Sequence, residues 1–180
     1  VTNPMGVTPG VFSPRLRDPS LRARLLERCG LPENATLLLG LGRLAAEKRW
    51  PMVIEAVKAA GYDHPVGLIL LGDGRDQKRV LRAAANNPHI HLAAPITDRP
   101  MLAAILASAD ALIHGCEAET FCMVAAEARA SGLPLIVPNG GGAGDQFTSG
   151  QGALYKPGNT LALAEAIKQF LRSDPHSQRE

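Results

Sequence analysis

The chain has 180 residues, of which 46% are hydrophobic, 20% charged and 4% aromatic, with 18 Gly and 14 Pro, the balance of one globular domain rather than of a disordered or fibrous chain. Nineteen Lys and Arg against 17 Asp and Glu leave a net charge of +2, and one Trp, two Tyr and four Phe supply few stacking platforms, which argues against a nucleic-acid groove. The apolar runs at Ala35 to Leu41 and Val66 to Leu71 fall far short of the roughly 20 residues a membrane span needs, and Cys29, Cys116 and Cys122 lack the C-x-x-C spacing of a zinc knuckle or the even count of a disulfide framework, which fits a reducing compartment.

The chain opens at Val1 on the turn-rich VTNPMGVTPGVFSP, which reads as the interior of a longer polypeptide. Asp18 before Pro19 has the form of a helix cap, and the helix it starts runs to about Cys29, with Gly30 closing it. ATLLLGLG (35–42) reads as a buried strand and Pro51 to Ala60 as a helix with Val53, Ala56, Val57 and Ala60 on one face. VGLILLG (66–72) is the next strand, Asp76 to Ala85 its helix and IHL (90–92) a shorter strand. Asp98 caps a helix over Arg99 to Ser108, ALIHG (111–115) and LPLIV (133–137) are strands flanking a helix from Phe121 to Ala130, and Thr160 caps a last helix over Leu161 to Leu171. Strands and helices in alternation predict an α/β domain, a doubly wound, Rossmann-like parallel sheet with right-handed crossovers. Ligands of such sheets sit beyond the carboxyl ends of the strands.

Three of those ends stand out. GRLAAEK follows the first strand and sets Arg43 and Lys48 in a turn before a helix, where a guanidinium and an ammonium suit a diphosphate and where a merely solvated turn is the plain alternative. LGDG follows the second strand, and its glycines are explained by a tight strand-to-helix turn, the reading preferred for Asp73. In the third stretch, Glu119 and Glu127 stand on either side of a seven-residue gap. Were that gap helical, they would be ~12 Å apart along the axis, about the length of a diphosphate with a sugar at each end. A helix starting near Thr120 offers unbonded N–H groups and a positive dipole end to phosphate, and carboxylates accept from hydroxyls, so each Glu suits a sugar ring. A solvated helix face is the alternative for either Glu alone, and a flexible connector the alternative for Gly140 to Gly142.

Taken in order, MGVTPGVFSP, GRL-x-x-EK, LGDG, AD-x-LIHG, E-x7-E with EA-x-A-x-GLPLIV, and GG-x-x-D resemble the C-terminal half of a family 4 glycosyltransferase of the GT-B fold. The resemblance covers nearly the whole chain, with residues 1–16 as an inter-domain linker segment, 172–180 as a tail and the N-terminal acceptor domain absent. It implies retaining transfer of a sugar from a nucleoside-diphosphate donor, a UDP- or GDP-sugar, with no metal and no other cofactor. Arg43 and Lys48 then stabilise the departing diphosphate, and Glu119 lies by the leaving phosphate and transferred sugar. Glu127 holds the ribose, and Gly42, Thr120, Phe121, Cys122 and Met123 supply backbone around the phosphates. Ala94, Pro95 and Ile96 lie where the base is met. The partners so implied are the nucleotide-sugar and the N-terminal domain of the same polypeptide, with a cytoplasmic location and peripheral contact at the inner membrane face through the absent half. The isolated domain is expected to be inactive.

Departures from the family pattern bear on donor choice: Thr120 and Cys122 stand where Gly is usual, Arg49 replaces the Gly after EK, Gly115-Cys116 replaces Pro-Ser, Arg129 the Met of EAMA, and Asp145 the usual Glu. His89 and His91 share a strand face without a third ligand and read as edge histidines. His114 serves either the donor sugar or a structural hydrogen bond, and Cys122 reads as packed, since no His-Asn partnership marks it as a nucleophile. Two rival functions remain at this stage: a non-catalytic nucleotide-sugar-binding module, and a GT-B sugar-nucleotide epimerase, which E-x7-E together with GRL-x-x-EK argues against.

Overall fold

The computed structural model describes residues 6–8 and 10–173. The expected linker at 1–5 and 9, and the expected tail from 174 onward, lie outside the described residues. Strands β1 (Thr36–Leu41), β2 (Val66–Leu71), β3 (Ile90–Ala93), β4 (Ala111–Ile113), β5 (Leu135–Pro138) and β6 (Gly152–Tyr155) form one parallel sheet in the order β3-β2-β1-β4-β5-β6. The helices are α1 (Pro19–Arg28), α2 (Trp50–Gly61), α3 (Gln77–Ala84), α4 (Arg99–Ser108), α5 (Met123–Ala130), the short α6 (Gly141–Asp145) and α7 (Thr160–Arg172). Order reverses between β1 and β4, so these two neighbouring strands diverge to opposite sides at their carboxyl ends and leave a crevice there.

Two apolar cores sandwich the sheet. Leu37, Leu39, Ile69, Leu112 and Leu135 face α1, α4 and α5 on one side, while Leu38, Leu68, Leu70, Ile113 and Ile136 face α2, α3 and α7 on the other. Burial on both faces is why these strands are apolar throughout rather than alternating. An internal ion pair fixes α1 to the sheet: Arg22 meets Asp110 at 2.7 Å and donates to the carbonyls of Glu33 and Ala35, while Asp110 also accepts from the Leu37 N–H. The Asp of AD-x-LIHG is therefore a structural latch for the start of β4.

Several boundaries differ from expectation. The α5 helix begins two residues after Phe121, at Met123, because Cys122 is left-handed at φ 59° and starts the helix from there. The stretch from Glu119 to Cys122 is irregular, so the fully helical spacing between the two glutamates does not hold. Asn159, one residue ahead of the expected Thr160, caps α7 by accepting from the Ala162 N–H. Gly140 to Gly142 are no flexible connector: α6 starts within them. Strand β6 is unforeseen; its four residues sit between Gly-rich turns and alternate burial, the weak pattern of an edge strand. His91 lies in β3, an edge strand, while His89 sits one residue before it, its Nδ1 bonded to the Cys29 carbonyl at 2.8 Å, so the two do not share a strand face.

Candidate functional site

At the carboxyl end of β1 the chain turns through Arg43 and a single 3-10 turn, Ala46–Lys48, before α2. Fully buried Trp50 pins this turn, its Nε1 donating to the Arg43 carbonyl at 2.9 Å. Glycine then allows the neighbouring loops to touch by their backbones. A Cβ on Gly72 would lie 2.0 Å from the Gly42 carbonyl oxygen and one on Gly74 2.5 Å from that of Leu44, which explains LGDG by close packing. Gly115, where the resemblance leads one to expect Pro, lets the Lys48 carbonyl approach in the same way, at 2.6 Å from where a Cβ would stand.

Lys48 is thereby carried to Glu119, and the two form an ion pair with only 12% and 23% of their side chains exposed. The other Glu119 oxygen lies 3.5 Å from His114 Nε2, which in turn is 3.8 Å from the Cys122 sulfur. The glycine loop holds this segment from behind: the Gly142 N–H donates to the Glu119 carbonyl, and Cβ atoms on Gly141 or Gly142 would collide with the backbone of Glu117 or Phe121. Tyr155 of β6 anchors the opposite side, its hydroxyl donating to the His114 carbonyl at 2.7 Å.

The electrostatics follow from burial. Loss of water and, second, the Lys48 charge bring the His114 pKa down to about 4, so its imidazole is neutral near pH 7. Burial raises the Cys122 thiol, against the lowering effects of the Ala125 N–H and Lys48, so it is a packed thiol and not a thiolate nucleophile. His114, Glu119 and Cys122 bring a nitrogen, an oxygen and a sulfur within 4.8 Å of one another, a group that could hold a metal ion. The Lys48 ammonium already meets Glu119 there, so the cluster carries its cation as a side chain.

Beside the cluster, a cleft of about 430 Å³ opens over the ends of β1 and β2, and its lining includes Gly42, Arg43, Pro95, Ile96, Met123 and Glu127. The α5 N-terminus faces it, and the N–H groups of its first turn precede the helical bonding pattern. The Arg43 side chain is 77% exposed and among the described residues bonds only the exposed Glu47, at 3.2 Å, so it is free to turn toward a ligand. Ala94 lies apart from this cleft, on a smaller adjoining cavity with Leu44 and Gln77. Glu127, the second carboxylate, is buried and accepts from Arg99 at 2.8 Å. The expected ionisable residues thus fall into two adjacent groups, a cluster of Lys48, Glu119 and Cys122 and a cleft with Arg43 and Glu127. Sequence reasoning passed over Arg99 and Tyr155 and marked Arg49 only as a departure from the family pattern. Arg49 is left-handed at φ 53°, the conformation that a Gly would adopt freely, and pairs with Glu117 at 2.5 Å. A larger groove of about 620 Å³, between α1, α4 and β3 and lined by Leu25, Ile69 and Met101 among others, shares Ile96 with the cleft but is lined by none of Arg43, Lys48, Glu119 and Glu127.

An open parallel sheet with charged side chains at its topological switch point, beside a helix N-terminus, defines a doubly wound, Rossmann-like domain. The chain belongs to the family described as "Glycosyl transferases group 1", whose sequence model matches residues 22–180. Among curated relatives, a GDP-mannose-dependent alpha-mannosyltransferase of Mycobacterium tuberculosis is 34% identical over 139 residues, 77% of this chain and 35% of the relative. A GDP-mannose-dependent alpha-(1-6)-phosphatidylinositol dimannoside mannosyltransferase of the same species is 33% identical over 183 residues, 99% of this chain and 46% of the relative. The chain therefore spans between a third and a half of these proteins. Of solved structures, sucrose-phosphate synthase from Thermosynechococcus elongatus aligns at TM-score 0.77 and 24% identity over 98% of this chain and 44% of that one. Anabaena HepE in complex with UDP aligns at 0.74 and 24% over 93% and 48%; both likenesses concern the fold. Among the described residues no helix is long and apolar enough to cross a membrane.

Proposed function

We propose that this chain is the C-terminal, donor-binding half of a two-domain, retaining glycosyltransferase of family 4, a hexosyltransferase whose N-terminal half binds the acceptor. The observation that carries the proposal is the pairing of Lys48 with Glu119 at the carboxyl end of β4, next to a cleft holding Arg43 and Glu127. In this reading the diphosphate lies across the start of α5, its charge met by Lys48, Arg43 and the N–H groups of Met123 and Val124. As the bond to the sugar breaks, negative charge grows on the departing phosphate. Lys48 and a rotated Arg43 stand where that charge develops, which lowers the barrier more than it tightens binding of the donor. Glu119, released from Lys48 by the phosphate, accepts from the sugar hydroxyls, while Glu127 holds the ribose and Pro95 and Ile96 flank the base. This positive charge is supplied by side chains and a helix end, so the reaction as proposed uses no metal. The chain alone is expected to bind donor without turnover, since the cleft for chemistry lies between two domains.

The donor is a nucleoside-diphosphate sugar with guanine or uracil as base. Two mannosyltransferase relatives named for GDP-mannose make that compound the first to assay. In this reading the full-length protein is cytoplasmic, with peripheral contact at the inner membrane face through its other half. Calorimetric titration of the chain with GDP, UDP and ADP tests the binding site, because ligand at a hundredfold excess over Kd raises stability by ~2.7 kcal/mol. Binding of one nucleotide, weakened by Arg43→Ala and Glu127→Gln, supports the assignment; silence from all three at millimolar concentration sinks it. One feature favours the second reading, a binding module that has lost transfer: Cys122 fills the left-handed position at the phosphate site. Donor binding without sugar transfer or donor hydrolysis by the full-length protein would establish that module.

A further inference from the structure

We infer that Arg99 is a positioning residue for the nucleotide ribose, acting through Glu127, and that Phe12 sets the Arg99 side chain in place. This rests on the reading of Glu127 as the ribose-binding carboxylate. Glu127 sits inside α5 with 7% of its side chain exposed, and among the described residues its carboxylate has one hydrogen-bonding partner, Arg99 Nη2 at 2.8 Å. Arg99 reaches it from the first residue of α4, across the cleft wall that both residues line. Its guanidinium lies over the ring of buried Phe12, 4.8 Å from the ring centre.

Each contact removes a freedom. A buried carboxylate held at one oxygen by a charged donor cannot rotate about its terminal torsion, so the second oxygen has a fixed direction in which to accept from vicinal hydroxyls. Arg99 itself is 52% exposed, so solvent screens the pair and its contribution to folding is small. Its contribution is directional. Stacking on Phe12 holds a long, flexible side chain at the one angle from which it meets Glu127. Phe12 belongs to the segment expected to link the two halves of the protein, so the ribose carboxylate is tied, through one guanidinium, to the chain that enters this domain.

The test compares ribonucleotide with dideoxynucleotide binding. GDP, UDP and ADP and their 2′,3′-dideoxy counterparts are titrated into the 180-residue chain and into Arg99→Ala, Arg99→Lys and Phe12→Leu, with melting curves to confirm folding. Arg99→Ala is expected to weaken the best ribonucleotide roughly tenfold or more, as for loss of a charged hydrogen bond. It should leave the dideoxy form nearly unchanged, so that discrimination between the two collapses. Arg99→Lys should restore part of that discrimination, and Phe12→Leu should lower it without abolishing it. If the unaltered chain fails to distinguish the two sugars, the ribose role of Glu127 falls and this inference falls with it. Where the unaltered chain discriminates and Arg99→Ala does so equally well, Glu127 keeps its role and Arg99 has none.

Discussion

Lys48 and Glu119 are 71 positions apart in sequence and ion-paired in space, joined because β1 and β4 are neighbours in the sheet and end at the same edge. Each side chain is mostly out of water, so each charge has the other as its compensation. Removing Lys48 alone leaves Glu119 unpaired beside a neutral imidazole; removing Glu119 alone leaves a secluded ammonium. The expected outcome is that Lys48→Met and Glu119→Gln each lower stability by about 1–3 kcal/mol, while the double variant loses less than the two together. Denaturant midpoints for the four proteins of the cycle measure the coupling, and strict additivity would show that the pair is not an energetic unit. In the full-length protein, Lys48→Met should also reduce kcat by about two to three orders of magnitude, the loss typical of one electrostatic stabiliser.

His114 gives the fold a defined acid sensitivity. Its pKa is lowered from 6.5 to about 4 by burial and by Lys48, so between those values the unfolded chain takes up a proton that the folded chain does not. Stability then rises with pH across this window and is lost as pH falls from 6.5 toward 4, by about 3 kcal/mol at the lower end. The measurement is the melting temperature of the unaltered chain and of His114→Asn at pH 7.5, 6.5, 5.5 and 4.5. The difference between them should shift in favour of His114→Asn as pH drops. Parallel curves for the two proteins would mean that His114 titrates normally in the folded chain.

What could be read beforehand followed from apolar pattern and caps. The strands β1, β2 and β5 are nearly continuous apolar runs buried on both faces, and Asp18 and Asp98 cap α1 and α4 with side-chain bonds to the first turn, so local chemistry and tertiary burial agree there. The misses have a different cause. Strand β6 carries only four residues at an edge, and its identity comes from register with β5, a long-range fact. Gly140 to Gly142 looked permissive because glycine is; the backbone of Glu117 to Phe121 lying against Gly141 and Gly142 is what turns that freedom into a close contact. The site residues were legible as types at spacings, yet their grouping was not. Lys48 joins Glu119 while Arg43 faces the other cleft, and Arg99 belongs to no motif because its role comes from crossing the domain to Glu127.

Cys122 stands where the resemblance to the family leads one to expect Gly. At φ 59° it holds a left-handed backbone, which costs a residue with a Cβ about 1–2 kcal/mol, and its sulfur is buried beside His114 at the start of α5. Cys122→Gly relieves that backbone cost while giving up the buried thiol and its packing, two effects of similar size and opposite sign. Stability is therefore expected to stay within about 1 kcal/mol of the unaltered chain. The ligand should register the change more clearly. Without a side chain the backbone before Met123 can approach a phosphate more closely, so the dissociation constant for the nucleotide that binds should fall several-fold. Calorimetric titration of the two proteins decides the matter. Weaker binding by Cys122→Gly would mean that the thiol, held between His114 and the helix start, helps to form the phosphate site, and that the substitution adapts the site instead of narrowing it.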